Sequence, residues 1–278
     1  MEITLTDIEK EAYKDSPVHR LDGRVKLLAV IIIILFTVSL PRVHDENLTR
    51  LAFVELYLIV LMALAKLNPV YVIVRFLAVL PFGLGIIVIQ PFVRQPFFDS
   101  FTEYPLDLPL GLTVTYEGLD FGITLLAKFI VCVSAIILLS STTKMHDIVG
   151  AARQLGIPKE IALLLTMMVR YLFLFWSVLK RIRTAQKCRL FNVWNKKVRR
   201  MWILEQIGYT ISSIFIMAYE QGERTYISML CRGYGQNGNV QIRKKDLKMS
   251  DMLFSITTLS TLVRSEEHTS ELQSRFGI

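Results

Sequence analysis

Hydrophobic residues in this chain come in long blocks, not at the three- and four-residue spacing of a surface helix. The first block, Leu27 to Leu40, follows Arg20, Arg24 and Lys26 and stops at Pro41, before a polar loop with Asp45 and Glu46. The second covers Leu51 to Ala65 and ends at Lys66-Leu67-Asn68-Pro69. The third, Val70 to Phe92, carries Arg75 near its start and Pro81, Gly83 and Gly85 inside it. Such breakers persist in membrane helices when neighbours satisfy the freed backbone groups. The fourth, Leu119 to Ser140, is interrupted only by Lys128. The pattern predicts an all-α, polytopic membrane helical bundle, with four transmembrane helices in an N-terminal membrane domain, residues 1–141.

Charge orients these helices. The chain has 278 residues, is 53% hydrophobic and carries a net charge of +8. Its mean hydropathy of +0.44 is too high for an ordinary soluble domain. Residues 94–118 hold four acids, Asp99, Glu103, Asp107 and Glu117, against one basic residue. Residues 142–250 hold nineteen Lys or Arg against six Asp or Glu, a net of +13. Basic loops stay in the cytoplasm. The expected protein therefore sits in the cell membrane, with its N-terminus, the Lys66 turn and a cytoplasmic region at 142–250 inside, and the acidic loop outside. Four crossings satisfy that parity. Met1 to His19 is polar and mixed in charge, and reads as no cleavable signal peptide.

Two segments depart from this scheme. Ile161 to Leu179 is apolar and long enough to span, but Arg170 sits at its middle, costing roughly 2.5–3.5 kcal/mol on insertion scales. Both its flanks are basic. It reads as a helix at the cytoplasmic interface or buried in protein, with Arg170 facing a polar partner; a true membrane span is the minority reading. Met252 to Val263 starts a final apolar run, the 251–263 beginning of a truncated transmembrane helix, and halts at Arg264. About 13 residues rise only ~20 Å, short of a ~30 Å hydrocarbon core. Residues 264–278 then resemble an in-frame translation of a common sequencing-library adapter, and they carry no functional argument.

The sequence shows no catalytic pattern. Gly-x-x-x-x-Gly-Lys-Ser/Thr, Gly-x-Ser-x-Gly and His-Glu-x-x-His are absent, and the four histidines are isolated. Cys132, Cys188 and Cys231 form no Cys-x-x-Cys or Cys/His cluster. No cofactor and no metal site is expected. If the protein serves energised transport, ATP hydrolysis belongs to another chain.

What does stand out is a pair of similar basic endings in the 142–250 region, Lys187-Cys188-Arg189-Leu190 and Leu230-Cys231-Arg232-Gly233. A guanidinium is always charged and binds a carboxylate through planar, bidentate bonds, which fixes orientation as well as contact. Two such groups suit the grip of a soluble partner. The plainer alternative makes both arginines positive-inside charges at the lipid headgroups.

Several local patterns weigh against that alternative. Ser16-Pro17-Val18-His19-Arg20-Leu21-Asp22-Gly23-Arg24-Val25-Lys26 resembles the entry to the first membrane helix of energy-coupling-factor transporter T subunits. Leu138 to Thr143, Leu155-Gly156-Ile157-Pro158, and Met168-Val169-Arg170-Tyr171 follow in that family's order, and the two endings resemble its twin Ala-Arg-Gly coupling motifs. The resemblance covers roughly residues 10 to 263 and is closest to the cobalt-transport CbiQ type. It implies cytoplasmic coupling helices and a complex with two ATP-binding cassette ATPase subunits and a small membrane substrate-capture subunit. The chain itself would transmit ATPase motion without ligating the ion.

The resemblance also implies partner-binding residues: Cys188, Arg189 and Leu190 at the first ending, and Cys231, Arg232 and Gly233 at the second. The second departs from the motif only at Cys231, which replaces alanine, and the first at two positions. Cys188 replaces alanine but stays small; Leu190 replaces the glycine expected just past a helix end. Other readings are a T subunit for nickel or vitamins, a membrane-embedded lipid-modifying enzyme, and a nucleic-acid-binding anchor. Lys128 and Arg170 alone make too sparse a polar cluster for the enzyme. The apolar runs Ile161–Leu179 and Ile211–Met217 argue against nucleic acid, leaving the lipid bilayer and protein subunits as partners.

Overall fold

A computed structural model describes residues 11–40, 45–90, 116–191, 198–235 and 249–276. Among them the regular structure is helical, with no strand. A 3-10 turn at Glu11–Tyr13 precedes α1 (Gly23–Ser39), α2 (Asp45–Leu64), α3 (Pro69–Ile89) and α4 (Tyr116–Thr142). Then follow α5 (Met145–Gln154), α6 (Lys159–Cys188), α7 (Arg200–Cys231) and α8 (Met249–Phe276). Residues 94–115 of the acidic loop and all of residues 236–248 lie outside the described residues. Two compact units emerge: Met1–Ala151 with Lys245–Ile278, and Ala152–Lys244.

In the first unit α4 is the central helix, packed against α1, α2 and α3, while α8 packs on α1 and α2. The contact faces follow helical periodicity. Leu51, Val54, Leu58 and Leu61 form one buried stripe on α2, continued by Ala65 just past its end, and Val131, Ala135 and Leu138 form another on α4. The outward faces are also apolar, as at Leu35, Val38, Leu56 and Ile59. Helices apolar on all sides need lipid or protein around them. Gly83 lets α3 approach α4 closely, because a Cβ there would lie 2.5 Å from the Phe129 ring.

Several polar side chains inside this unit bond between helices, as a low-dielectric environment favours, while Glu55 Oε2 and Thr143 Oγ1 are buried without a hydrogen-bond partner. Lys128 Nζ donates to the Leu40 carbonyl at 2.7 Å, closing the C-terminal end of α1. Arg75 Nη1 donates to Ser140 Oγ at 2.6 Å and lies over the Tyr71 ring. Ser134 Oγ donates to Glu55 Oε1 at 2.7 Å.

The N-terminal motif forms a polar junction at one end of the unit. Asp22 caps α1 by accepting the Arg24 N–H at 3.0 Å, and its own N–H donates to Asp251 Oδ1 of α8 at 2.9 Å. Lys26, only 4% exposed, donates to the Thr142 carbonyl at the end of α4 at 2.9 Å. Gly23 sits against the first turn of α5, where a Cβ would meet the Asp147 carbonyl oxygen at 3.2 Å.

Four helices among the described residues are long and apolar enough to cross a membrane: α3, the Gly118–Thr142 part of α4, α6 and α7. The protein is an all-α polytopic membrane protein. Two of these helices coincide with the expected third and fourth crossings; the other two come from the strongly basic region. The first two blocks form α1, with 17 residues, and α2, which begins with Asp45 and Glu46 and carries Arg50 and Glu55. The apolar segment Ile161–Leu179 is the middle of α6, and Arg170 is exposed on it. At the C-terminal end, α8 runs through Arg264 without a break.

Candidate functional site

The second unit is built on a helical hairpin. Moving fifteen residues forward along α6, from Tyr171 to Gln186, moves fifteen back along α7, from Thr225 to Thr210. Tyr171 Oη lies 2.6 Å from Thr225 Oγ1, and Gln186 Nε2 donates to Thr210 Oγ1 at 2.8 Å. Both threonines spend their own proton on the carbonyl four residues back, Gln221 and Gln206. A hydroxyl has one proton, so each threonine must accept from α6. The two crosslinks hold the helices antiparallel over about 22 Å at ~1.5 Å per residue.

That register separates the two candidate endings. Arg189 follows the last residue of α6, Cys188, and Arg232 follows the last residue of α7, Cys231. Antiparallel helices put their C-termini at opposite ends, here roughly 37 Å apart along the hairpin. The sequence brings Cys188, Arg189 and Leu190 together at one tip, and Cys231, Arg232 and Gly233 at the other. It does not bring the six residues into one pocket.

The two tips share one backbone design. At the first, the Leu190 N–H donates to the Lys187 carbonyl and the Phe191 N–H to the Gln186 carbonyl, both at 3.0 Å. At the second, the Gly233 N–H donates to the Leu230 carbonyl at 2.9 Å and the Tyr234 N–H to the Met229 carbonyl at 3.0 Å. Each is a Schellman ending, which satisfies the otherwise unpaired last carbonyls of a helix. It requires a left-handed residue just past the cap, and Leu190 (φ 61°) and Gly233 (φ 79°) both adopt it. Leucine thus keeps the geometry that glycine adopts freely, at a cost of roughly 1–2 kcal/mol. An aromatic residue follows at both tips. At the first tip, Phe191 packs on Trp202 with ring centroids 5.6 Å apart.

Both arginines and both cysteines are exposed. A cap position with a satisfied backbone and an exposed guanidinium can present its charge to another molecule without unwinding the helix. The cysteines add little bulk beside it. Among the described residues no group of three or more His, Cys, Asp or Glu is arranged to hold a metal ion.

The other family-like patterns prove to be helix punctuation and crosslinks. Gly156 (φ 112°) ends α5 in the same hydrogen-bonding mode, and Pro158 caps the start of α6. Ser140, Ser141 and Thr142 receive Arg75 and Lys26 at the end of α4. Sequence reasoning missed Asp22, Lys26 and Asp251 as a junction. The only signal was a buried-type Lys and Asp beside an apolar block.

Comparison with known proteins adds the rest. The CbiQ family model, described as a cobalt transport protein, matches residues 14–242. An energy-coupling factor transporter transmembrane protein, EcfT, of Streptococcus thermophilus is 28% identical over 262 residues, 88% of this chain and 92% of that protein. The EcfT of Bacillus selenitireducens is 26% identical over 247 residues, 85% of this chain and 87% of that one. An uncharacterized protein of Methanocaldococcus jannaschii is 28% identical over 252 residues, 88% of this chain and 81% of its own length.

Proposed function

The chain belongs to the CbiQ family of cobalt transport proteins, and on that premise we propose that it is the transmembrane coupling subunit of an ATP-driven energy-coupling-factor importer for cobalt. In this reading it binds two ATP-binding cassette ATPase subunits and a small membrane subunit that captures the substrate. It transmits motion and performs no catalysis of its own. The similarity to transporter transmembrane proteins supports membership of such a complex.

One observation carries the coupling role: two exposed arginines on matched helix endings at opposite ends of one crosslinked hairpin. A pair of ATPases closing on ATP and opening after hydrolysis changes the distance between equivalent points on the two subunits. A rod gripped at each end turns that change into a tilt or a shear. Arginine suits the grip because its fork holds a carboxylate in a fixed orientation.

The hairpin surface supports the same reading. Only Ala162, Val169 and Ile203 are buried on its two helices, while Leu164, Leu204, Ile211 and Phe215 are exposed. So much exposed apolar surface needs a bilayer or protein to cover it. Basic residues of α6 bound its apolar stretch on both sides, Lys159 before and Lys180, Arg181 and Arg183 after, which favours a cytoplasmic position for the hairpin over a crossing. In this topology the N-terminus and residues 142–250 face the cytoplasm. The direct test is reconstitution. Vesicles holding this chain, the two ATPases and a cobalt-type capture subunit should accumulate cobalt on addition of ATP, and omission of this chain should abolish uptake. Equal uptake without it would refute the proposal.

A further inference from the structure

The two tips are alike in backbone and unlike in side chains. Leu190 is 91% exposed, more than any other large apolar residue among those described. It holds a left-handed conformation that a leucine resists and gains no burial within the chain in return. Its counterpart, Gly233, has open space around it and no side chain to offer. The surroundings differ as well. Residues 180–189 of the first ending carry five cations, Lys180, Arg181, Arg183, Lys187 and Arg189, and no acid. Residues 220–232 of the second carry Glu220 and Glu223 against Arg224 and Arg232, and Arg224 already pairs with Glu220 at 3.7 Å.

We infer that the two tips are non-equivalent docking points, and that Leu190 is an apolar contact of the α6 tip alone, seated in an ATPase subunit beside the acid that Arg189 grips. This rests on the coupling role proposed above. The partner surface at the α6 tip is an apolar depression within an acidic field. The surface at the α7 tip needs only an acid for Arg232 and room for a bare glycine turn. The Phe191–Trp202 contact and the Schellman hydrogen bonds form a fixed pedestal, so Leu190 is held out in one direction and loses little freedom when covered. The arrangement fits two ATPase subunits that differ at this contact, or identical subunits bound with unequal affinity.

The test uses the full chain in nanodiscs and, as probe, purified ATP-binding cassette subunits of the source organism's energy-coupling-factor transporter. Arg232→Glu leaves the α6 tip as the working anchor, and Arg189→Glu leaves the α7 tip. Leu190→Gly keeps the backbone geometry and removes the contact. In the Arg232→Glu background it should weaken binding roughly ten-fold or more, the scale on which burying a leucine counts. In the Arg189→Glu background it should change nothing. Leu190→Asn, which also tolerates the left-handed conformation, should behave like glycine, and Leu190→Met should retain binding. Unchanged affinity of Leu190→Gly in both backgrounds would overturn the inference while leaving the coupling role intact. Failure of the unsubstituted chain to bind any ATPase would remove the coupling role, and the inference with it.

Discussion

Lys26 of α1 and Thr142 at the end of α4 are joined across 116 residues of sequence by a buried hydrogen bond, Nζ to carbonyl, of 2.9 Å. The same ammonium lies 3.4 Å from the His19 carbonyl. The lysine thus ties the entry loop and the first helix to the last residue of the central helix, just before the chain turns into α5. A buried carbonyl left without a donor costs about 1–3 kcal/mol. Lys26→Met should therefore lower the stability of the detergent-solubilised protein by about that much, read as a fall in thermal unfolding midpoint. An unchanged midpoint would show that the junction contributes nothing to stability.

The two tips predict opposite responses to exchanging their left-handed residues. Leu190→Gly relieves the conformational cost and should raise stability by about 1 kcal/mol or less, since glycine also loses more freedom on folding. Gly233→Leu should lower it by about 1–2 kcal/mol; the space there is open, so backbone strain alone is at work. Thermal or denaturant unfolding of the two variants checks both signs. Changes of the same sign would contradict the matched-ending geometry.

Gly83 offers a test of packing in the first unit. A methyl group there would lie 2.5 Å from the Phe129 ring, so Gly83→Ala should destabilise by about 1–3 kcal/mol through overpacking. Phe129→Leu in the same chain should recover part of the loss. A destabilisation that Phe129→Leu leaves unchanged would mean that α3 and α4 do not meet at this point.

The proposed topology predicts a labelling pattern. With native cysteines removed, a cysteine at Asp107 should react with an impermeant thiol reagent on intact cells, and one at Asn237 should not. Both positions lie outside the described residues, so the expectation rests on charge alone. Reaction at Asn237 in sealed cells would reverse the orientation.

Much of this architecture was legible in the order of residues, for identifiable reasons. Long apolar blocks announce membrane helices because lipid accepts few polar side chains, and α3 and α4 fall on theirs. Lengths were less legible. The apolar run Ile161–Leu179 ends where Lys180 begins, but the helix continues to Cys188, because Lys, Arg, Ala and Gln are good helix formers without being apolar. The partner of α8 was illegible for another reason. At the entry to α1, Asp251 accepts the Asp22 N–H from 229 residues away, and no local pattern encodes such a pairing. At the candidate site the motifs point to residues, but not to the separation between them. It follows from Tyr171 meeting Thr225 and Gln186 meeting Thr210, a register that only packing sets. Leu190 looked like the loss of a required glycine; the left-handed turn is made all the same.

In the proposed function, Arg189 and Arg232 are the two ends of one coupling rod. The most direct measurement is ATPase recovery and cobalt uptake with Arg189→Glu and Arg232→Glu combined in the full complex. Stranding the partner carboxylate of a buried ion pair costs about 3–5 kcal/mol at each end. The double variant should therefore lose ATPase assembly or transport, and each single variant should lose less, because one grip remains. Normal ATPase recovery together with normal cobalt uptake in the double variant would refute the coupling role of the two arginines.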